Sequence, residues 1–453
     1  MRLSSLSLAT LLILTTVSAQ AADWSRFRGP NGNAFSEEKG LPTKWSDSGE
    51  DGLVWKVGLP GAGASSPVIS GDKVFVTCFT GKVPDSLERT LVCVSRKDGK
   101  ILWKESVKAK ANEDRPDQML MTHGYSSSTP ATDGEGVYVL FGKSGVYAYD
   151  MNGKEMWHQE VGNGSAPMGW GSACSPILYK NLVIVNAAAE GRALIAFDKK
   201  TGKEVWKTPA DSLEGCWGTP ILVDAPGGKQ ELVISVPGEV WGFEPDTGKF
   251  LWYCEGVNSN SQCTSAVAKD GVVYVIGGGP GSSGAVAIKT GGKDDVSKTN
   301  LLWKSRLGSY VTSPVIVGEN LYWVNEGGVA RCVKLKDGEL VTEKRLAGGA
   351  AGGPPAGGPP GGAPPGSGFP GGRGGRGGMG GGREYYASVV AADGKLYAVS
   401  RNKGTLVISA DAKLDVLATN KMDDTSVFNA GPAIQDGQIY LRSDKFLYCI
   451  GKK

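Results

Sequence analysis

The stretch FDKKTGKEVW, Phe197 to Trp206, ends one strand, turns at a glycine and starts another, and close copies of it return along the chain. SRKDGKILW ends at Trp103, YDMNGKEMW at Trp157 and FEPDTGKFLW at Trp252. A looser copy, TNLLW, ends at Trp303, and DGLVWK around Trp55 is a truncated one. Successive tryptophans lie about 50 residues apart, the length of a four-stranded propeller blade. A second marker keeps the same step: Ser66-Pro67, Thr129-Pro130, Ser175-Pro176, Thr219-Pro220, Ser313-Pro314 and Gly431-Pro432, with Ser265-Ala266 and Ser388-Val389 as degenerate copies. Together they mark eight repeats. A fixed period overrides any domain count taken from length, so the chain from residue 22 to 453 is read as one ring rather than two or three domains.

Each repeat has the same grammar. After the marker comes a short apolar strand, then a turn such as SGDK or DGEG, then VFVTCF, VYVLFG or VVYVIG. A third strand (GVYAYD, ALIAFD, EVWGFE) leads into the glycine turn, where Gly153, Gly202 and Gly248 suit a positive backbone angle. The fourth strand then delivers its tryptophan to one fixed place. Trp55, Trp103, Trp157, Trp206, Trp252 and Trp303 are therefore expected to dock blade on blade, each burying roughly 150–250 Å². The last repeat, GPAIQDGQIYLRSDKFLYCIG, supplies three strands and stops, whereas GLVWKV at Trp55 is an outer strand without partners. Joining them closes an all-β, eight-bladed propeller and removes its open edge.

These repeats, with DxxTGKxxW seen in full at Asp198 to Trp206, resemble the pyrroloquinoline-quinone (PQQ) repeat propellers. WSRFRGPNGN, Trp24 to Asn33, is similar to the start of the exported propellers of planctomycete-type bacteria. The resemblance implies the fold of the quinoprotein alcohol dehydrogenases. For function it implies either a quinone-dependent dehydrogenase or a BamB-like scaffold, which carries no cofactor and serves outer-membrane protein assembly. The enzymes of the group carry a vicinal Cys-Cys pair and calcium-holding Glu, Asn and Asp residues. No two cysteines are adjacent here, and Glu214, Asn260 and Asn429 follow no ligand spacing.

Residues 1–21 read as an export signal, with Arg2, the apolar run Leu8 to Val17 and the small-x-small pattern Ala19-Gln20-Ala21. No cysteine follows for acylation, so a soluble periplasmic or extracellular protein without a lipid anchor is expected. The 49 basic and 46 acidic residues nearly cancel, which gives no field to draw the chain onto nucleic acid or anionic lipid. Ala347 to Arg383, made of Gly, Pro and a few Arg, cannot bury a core and is read as a solvated insertion between the sixth and seventh blades. Its Arg-Gly-Gly steps resemble RNA-binding segments, but three arginines on an exported chain do not make a nucleic-acid site. Cys78 with Cys93, and Cys216 with Cys263, are the disulfide pairings that strand order makes plausible, beside the plain alternative of small buried residues. His123 and His158 are isolated, so structural zinc has no ligand set. The pairs Asp294-Asp295 and Asp423-Asp424 read as solvated turns, and Gly277 to Gly284 as a strand connection with no helix to make a phosphate cradle.

The segments that enter the innermost strands converge on one end of a propeller channel. They carry Tyr125, Trp170, Trp217, Tyr310, Tyr386 and Phe428, with His123 beside them. An aromatic mouth of this kind suits a small ligand or peptide, or simply seals the channel. Three functions follow: a non-catalytic scaffold for protein partners, with no cofactor and no catalytic residue; a PQQ-dependent dehydrogenase with calcium; and a sensor of carbohydrate or another small ligand.

Overall fold

The computed structural model describes residues 23–47, 52–116, 118–279, 282–346 and 383–452. The expected export signal and the Gly/Pro-rich insertion up to residue 382 lie outside them. Eight sheets of four antiparallel strands stand around a channel, and two of them carry one extra short strand. Blades 1 to 7 span 68–108, 131–159, 177–209, 221–255, 267–305, 315–345 and 390–420. Blade 8 takes three strands from 433–450 and its outermost strand, Leu53–Gly58, from the other end of the chain, with Trp55 opposite Cys449. This is the clasp expected from the sequence. Alternate residues of neighbouring sheets interlock into dry seams, such as Ile184, Leu194 and Trp206 of blade 3 against Leu232 and Ile234 of blade 4.

The repeated hairpin is the joint between blades. The indole of Trp206 lies on Gly248 in the turn of the next blade, which has φ +69, and a Cβ there would meet Trp206 Cε3 at 2.4 Å. Trp206 Nε1 donates to the Pro245 carbonyl of the same turn at 3.1 Å. Trp55, Trp103, Trp157 and Trp303 repeat the arrangement, donating to Arg96, Met151, Lys199 and Leu335 carbonyls at 2.8–3.1 Å. Trp252 departs from it and donates to Glu231 Oε2 of its own blade at 2.8 Å. The reason lies in blade 5, where residues 290–300 replace the glycine turn. Asp294-Asp295, expected as a solvated turn, forms a short parallel strand against Trp252 and Tyr253. Blades 6 and 7 carry Thr342 and Ala418 at the indole position.

The Ser/Thr-Pro marker is a second joint. The N–H of Ser66 donates to Thr129 Oγ1, Thr129 to Ser175, Ser175 to Thr219, Thr219 to Ser265, Ser265 to Ser313 and Ser313 to Ser388, each at 2.9–3.1 Å. A belt of hydroxyls thus ties seven blades around the channel, with each bond contributing about 1 kcal/mol. It stops at Gly431, which has no hydroxyl to offer.

The cysteine pairings do not form. Cys78 faces Thr90 and Cys93 faces Phe75, so the two thiols lie in different registers and on opposite faces of blade 1. All eight cysteines are free. The Gly-rich stretch forms the ends of strands Val272–Gly279 and Ser282–Lys289, in keeping with a strand connection.

Candidate functional site

The mouth end of the channel is built from the loops that precede the marker. The loop between blades 1 and 2 carries the short helix Gln118–His123 over the opening. Two buried ion pairs fix this loop to the blades beneath: Arg89 to Glu113 at 2.7 Å and Lys143 to Asp114 at 2.9 Å. Arg89 Nε also donates to the Tyr125 carbonyl at 2.8 Å. Sequence reasoning did not find these pairs, although an arginine inside the apolar strand Glu88–Ser95 was a usable signal. Asn429 Nδ2 pins the helix from blade 8 by donating to the Thr122 carbonyl at 2.7 Å.

Below the helix lies a cavity of about 100 Å³, lined by His123, Trp170, Trp217 and Tyr386 at the mouth, by belt hydroxyls along its wall and by Phe27 from the far end. Trp170 and Trp217 pack with ring centres 4.9 Å apart, and Trp217 Nε1 donates to the Gly171 carbonyl at 2.9 Å. Tyr310 stands edge-on to Trp170 at 6.1 Å, outside the lining, with the Arg383 guanidinium over its ring. Tyr125 and Phe428 point elsewhere: the first packs against Phe79 and donates to the Asp114 carbonyl, and the second stacks on Tyr448. Of the seven mouth residues read from the sequence, four therefore line one cavity, and three support its neighbours.

His123 is buried, and its Nε2 lies 3.1 Å from the Trp170 carbonyl, which can only accept. Nδ1 is then the acceptor for Ser127 Oγ at 2.6 Å. Burial holds the ring pKa down to about 4, so the imidazole is neutral at pH 7. Cys174, Cys216 and Cys263 come from three successive mouth loops; burial pushes Cys216 and Cys263 up to about 12 and Cys174 well above the ordinary range, which leaves weak nucleophiles. Glu190, also buried, accepts from Ser172 Oγ, and burial raises its pKa, but it does not line the cavity. Glu214 pairs with Arg192 at the surface, and Asn429 accepts from Arg401 Nε at 3.0 Å, so neither is set up as a calcium ligand. Among the described residues no cluster of three His, Cys, Asp or Glu side chains is placed to hold a metal.

The far end of the channel is closed by a feature whose role the sequence did not disclose. The segment from Asp23 runs across it, with Phe35–Ser36 pairing in parallel with the innermost strand of blade 7. Trp24 and Ala34 are fully buried there. Arg26 and Arg28 are buried too, and desolvation lowers their pKa values to about 10 and about 9.

Residues 46–212 and 121–344 match the family described as "Outer membrane protein assembly factor BamB". A curated relative, the outer membrane protein assembly factor BamB of Burkholderia pseudomallei, is 23% identical over 348 residues, covering 67% of this chain and 82% of that protein. Among solved structures, BamB from Moraxella catarrhalis superposes with a TM-score of 0.59 at 11% identity, over 88% of this chain and 97% of that one. The quinohemoprotein alcohol dehydrogenase of Comamonas testosteroni superposes with a TM-score of 0.56 at 11% identity, over 95% of this chain and 81% of that one. The structural likenesses share the propeller between scaffold and enzyme and do not separate them. The sequence match shows the family: the chain belongs to the BamB family of PQQ-repeat propellers.

Proposed function

We propose that this protein is a non-catalytic propeller of the cell envelope that serves as a scaffold for protein partners in outer-membrane protein assembly. The observation that carries the reading is the channel itself. Its cavity of about 100 Å³ lies below the roughly 300–1,000 Å³ of sites for cofactor-sized ligands. Among the described residues its lining offers no carboxylate for calcium, and the His123 imidazole is spent on Ser127 and Trp170. A planar quinone with several carboxylates does not fit these residues. Family membership and the relative's name supply the direction of the partnership. An export signal at 1–21 is the expected route to the envelope, and among the described residues no helix is long and apolar enough to cross a membrane.

The test is turnover. Purified protein incubated with the quinone and calcium is expected to reduce no dye with alcohols or aldoses. Steady dye reduction that needs both additions and disappears in Trp217→Ala would replace the scaffold with a dehydrogenase.

A further inference from the structure

The N-terminal segment uses the free inner edges of the blades. Four residues in equivalent places, each three after the marker, donate their N–H to it: Ile69 to Trp24, Thr132 to Ser25 and Ala391 to Ala34 carbonyls, and Ala268 to Asn33 Oδ1, all at 2.9 Å. At Ala268 the pairing is double, because Asn33 Nδ2 returns a bond to the Ala268 carbonyl at 3.1 Å. A side-chain amide stands in there for a residue of a strand.

Leu178 and Leu222 hold the same place in blades 3 and 4. Leu178 faces Val183 as Ile69 faces Val74, and Leu222 faces Leu232. In an antiparallel pair alternate residues turn both N–H and C=O away from the partner strand, so these two present both groups to the channel axis. Among the described residues no hydrogen bond joins the N-terminal segment to either of them. They open instead on two adjoining clefts of about 570 and 500 Å³, which share Asn31, Leu222 and Gln230. That volume is in the range of real ligand sites. The charges that line it nearly cancel, with Asp23, Asp133, Asp224 and Asp270 against Arg26, Lys269 and Lys289, and two of them are paired, Lys269 with Glu319 at 2.5 Å and Asp133 with Lys199 at 2.7 Å. The cleft therefore asks for an uncharged partner rich in amides.

We propose that this cleft binds a short, extended, uncharged peptide segment, whose amides pair with Leu178 and Leu222 as Asn33 pairs with Ala268. The chain's own segment shows that the inner edges accept such pairing, and addition to a free edge is a common mode of peptide capture. The inference deepens the scaffold reading and rests on it.

The test begins with panning a library of random seven-residue peptides against the purified protein. Enriched peptides poor in charge are expected, with binding at least ten-fold weaker to Asn31→Trp and to Gln230→Trp, which fill the cleft from the N-terminal segment and from blade 4, and unchanged in Trp217→Ala in the channel. Hydrogen exchange at the Leu178 and Leu222 amides should slow on binding. No enriched peptide, equal binding to both filled variants with unchanged folding, or protection confined to the mouth would overturn the cleft. None of those results bears on dye reduction, so the scaffold reading stands or falls separately.

Discussion

His123 shows how one buried side chain becomes a property of the whole protein. Its folded pKa of about 4 lies below the ordinary value of 6.5, because burial penalises the imidazolium. Between those two pH values the unfolded chain holds a proton that the folded chain lacks. Stability is therefore complete above pH 6.5, falls as pH drops through the window and levels off near pH 4, a loss of about 3 kcal/mol. Urea unfolding at intervals from pH 7.5 to 4 is expected to show this slope, and His123→Gln should flatten it. An unchanged slope in the variant would assign the effect to other groups. In the sequence, His123 stands only as an isolated histidine beside the mouth aromatics. Its hydrogen bonds come from Ser127, four residues away, and from Trp170 in the next mouth loop, a neighbour that only folding supplies.

At the scale of the element, the marker and the hairpin divide the labour of holding blades together, with hydroxyls at the channel and indoles at the rim. Gly431 is the gap in the inner belt: a Cβ there would meet only Ser388 O at 3.4 Å and Ser66 Oγ at 3.5 Å, ordinary contact distances. Gly431→Ser is expected to supply the acceptor that the Ser388 N–H lacks in the belt and to raise stability by about 1 kcal/mol. Thr219→Val, which strips the acceptor from Ser175, should lower it by about 1–3 kcal/mol. Chemical denaturation of the two variants checks both, and a loss in Gly431→Ser would show that the belt is not additive around the ring. The marker was plain in the sequence as a register mark. Its bonding was not, since each bond joins residues about one blade apart in the chain and adjacent only around the axis.

At the scale of the molecule, the long Gly/Pro-rich insertion joins the ring through its two flanks. Its flanks dock at one place: Leu346 N donates to Gly328 O at 2.9 Å, and Glu384 N donates to Glu326 O at 2.8 Å, both in one turn of blade 6. A short Gly-Ser linker in place of residues 347–382 is therefore expected to keep the fold, with a change of no more than about 1 kcal/mol, because closure entropy grows only slowly with loop length. Differential scanning calorimetry of the linker variant decides it, and a large fall in Tm would give the insertion a structural role.

Sequence alone determined the blade count, the strand order within each blade and the clasp at Trp55, because all three follow from a period and a phase that any repeat displays. It also placed Trp170, Trp217, Tyr386 and His123 at one end of the channel, since every mouth loop holds the same position relative to its marker. The tertiary structure alone decided how far that channel is filled. Trp24 to Asn33 has no repeat to be compared with, and its partners lie on blades up to about four hundred residues away, so only the closed ring brings it against their inner edges. The same holds for the cleft at Leu178 and Leu222: an unpaired amide is a statement about what else came to the axis, and no local pattern in the chain records it.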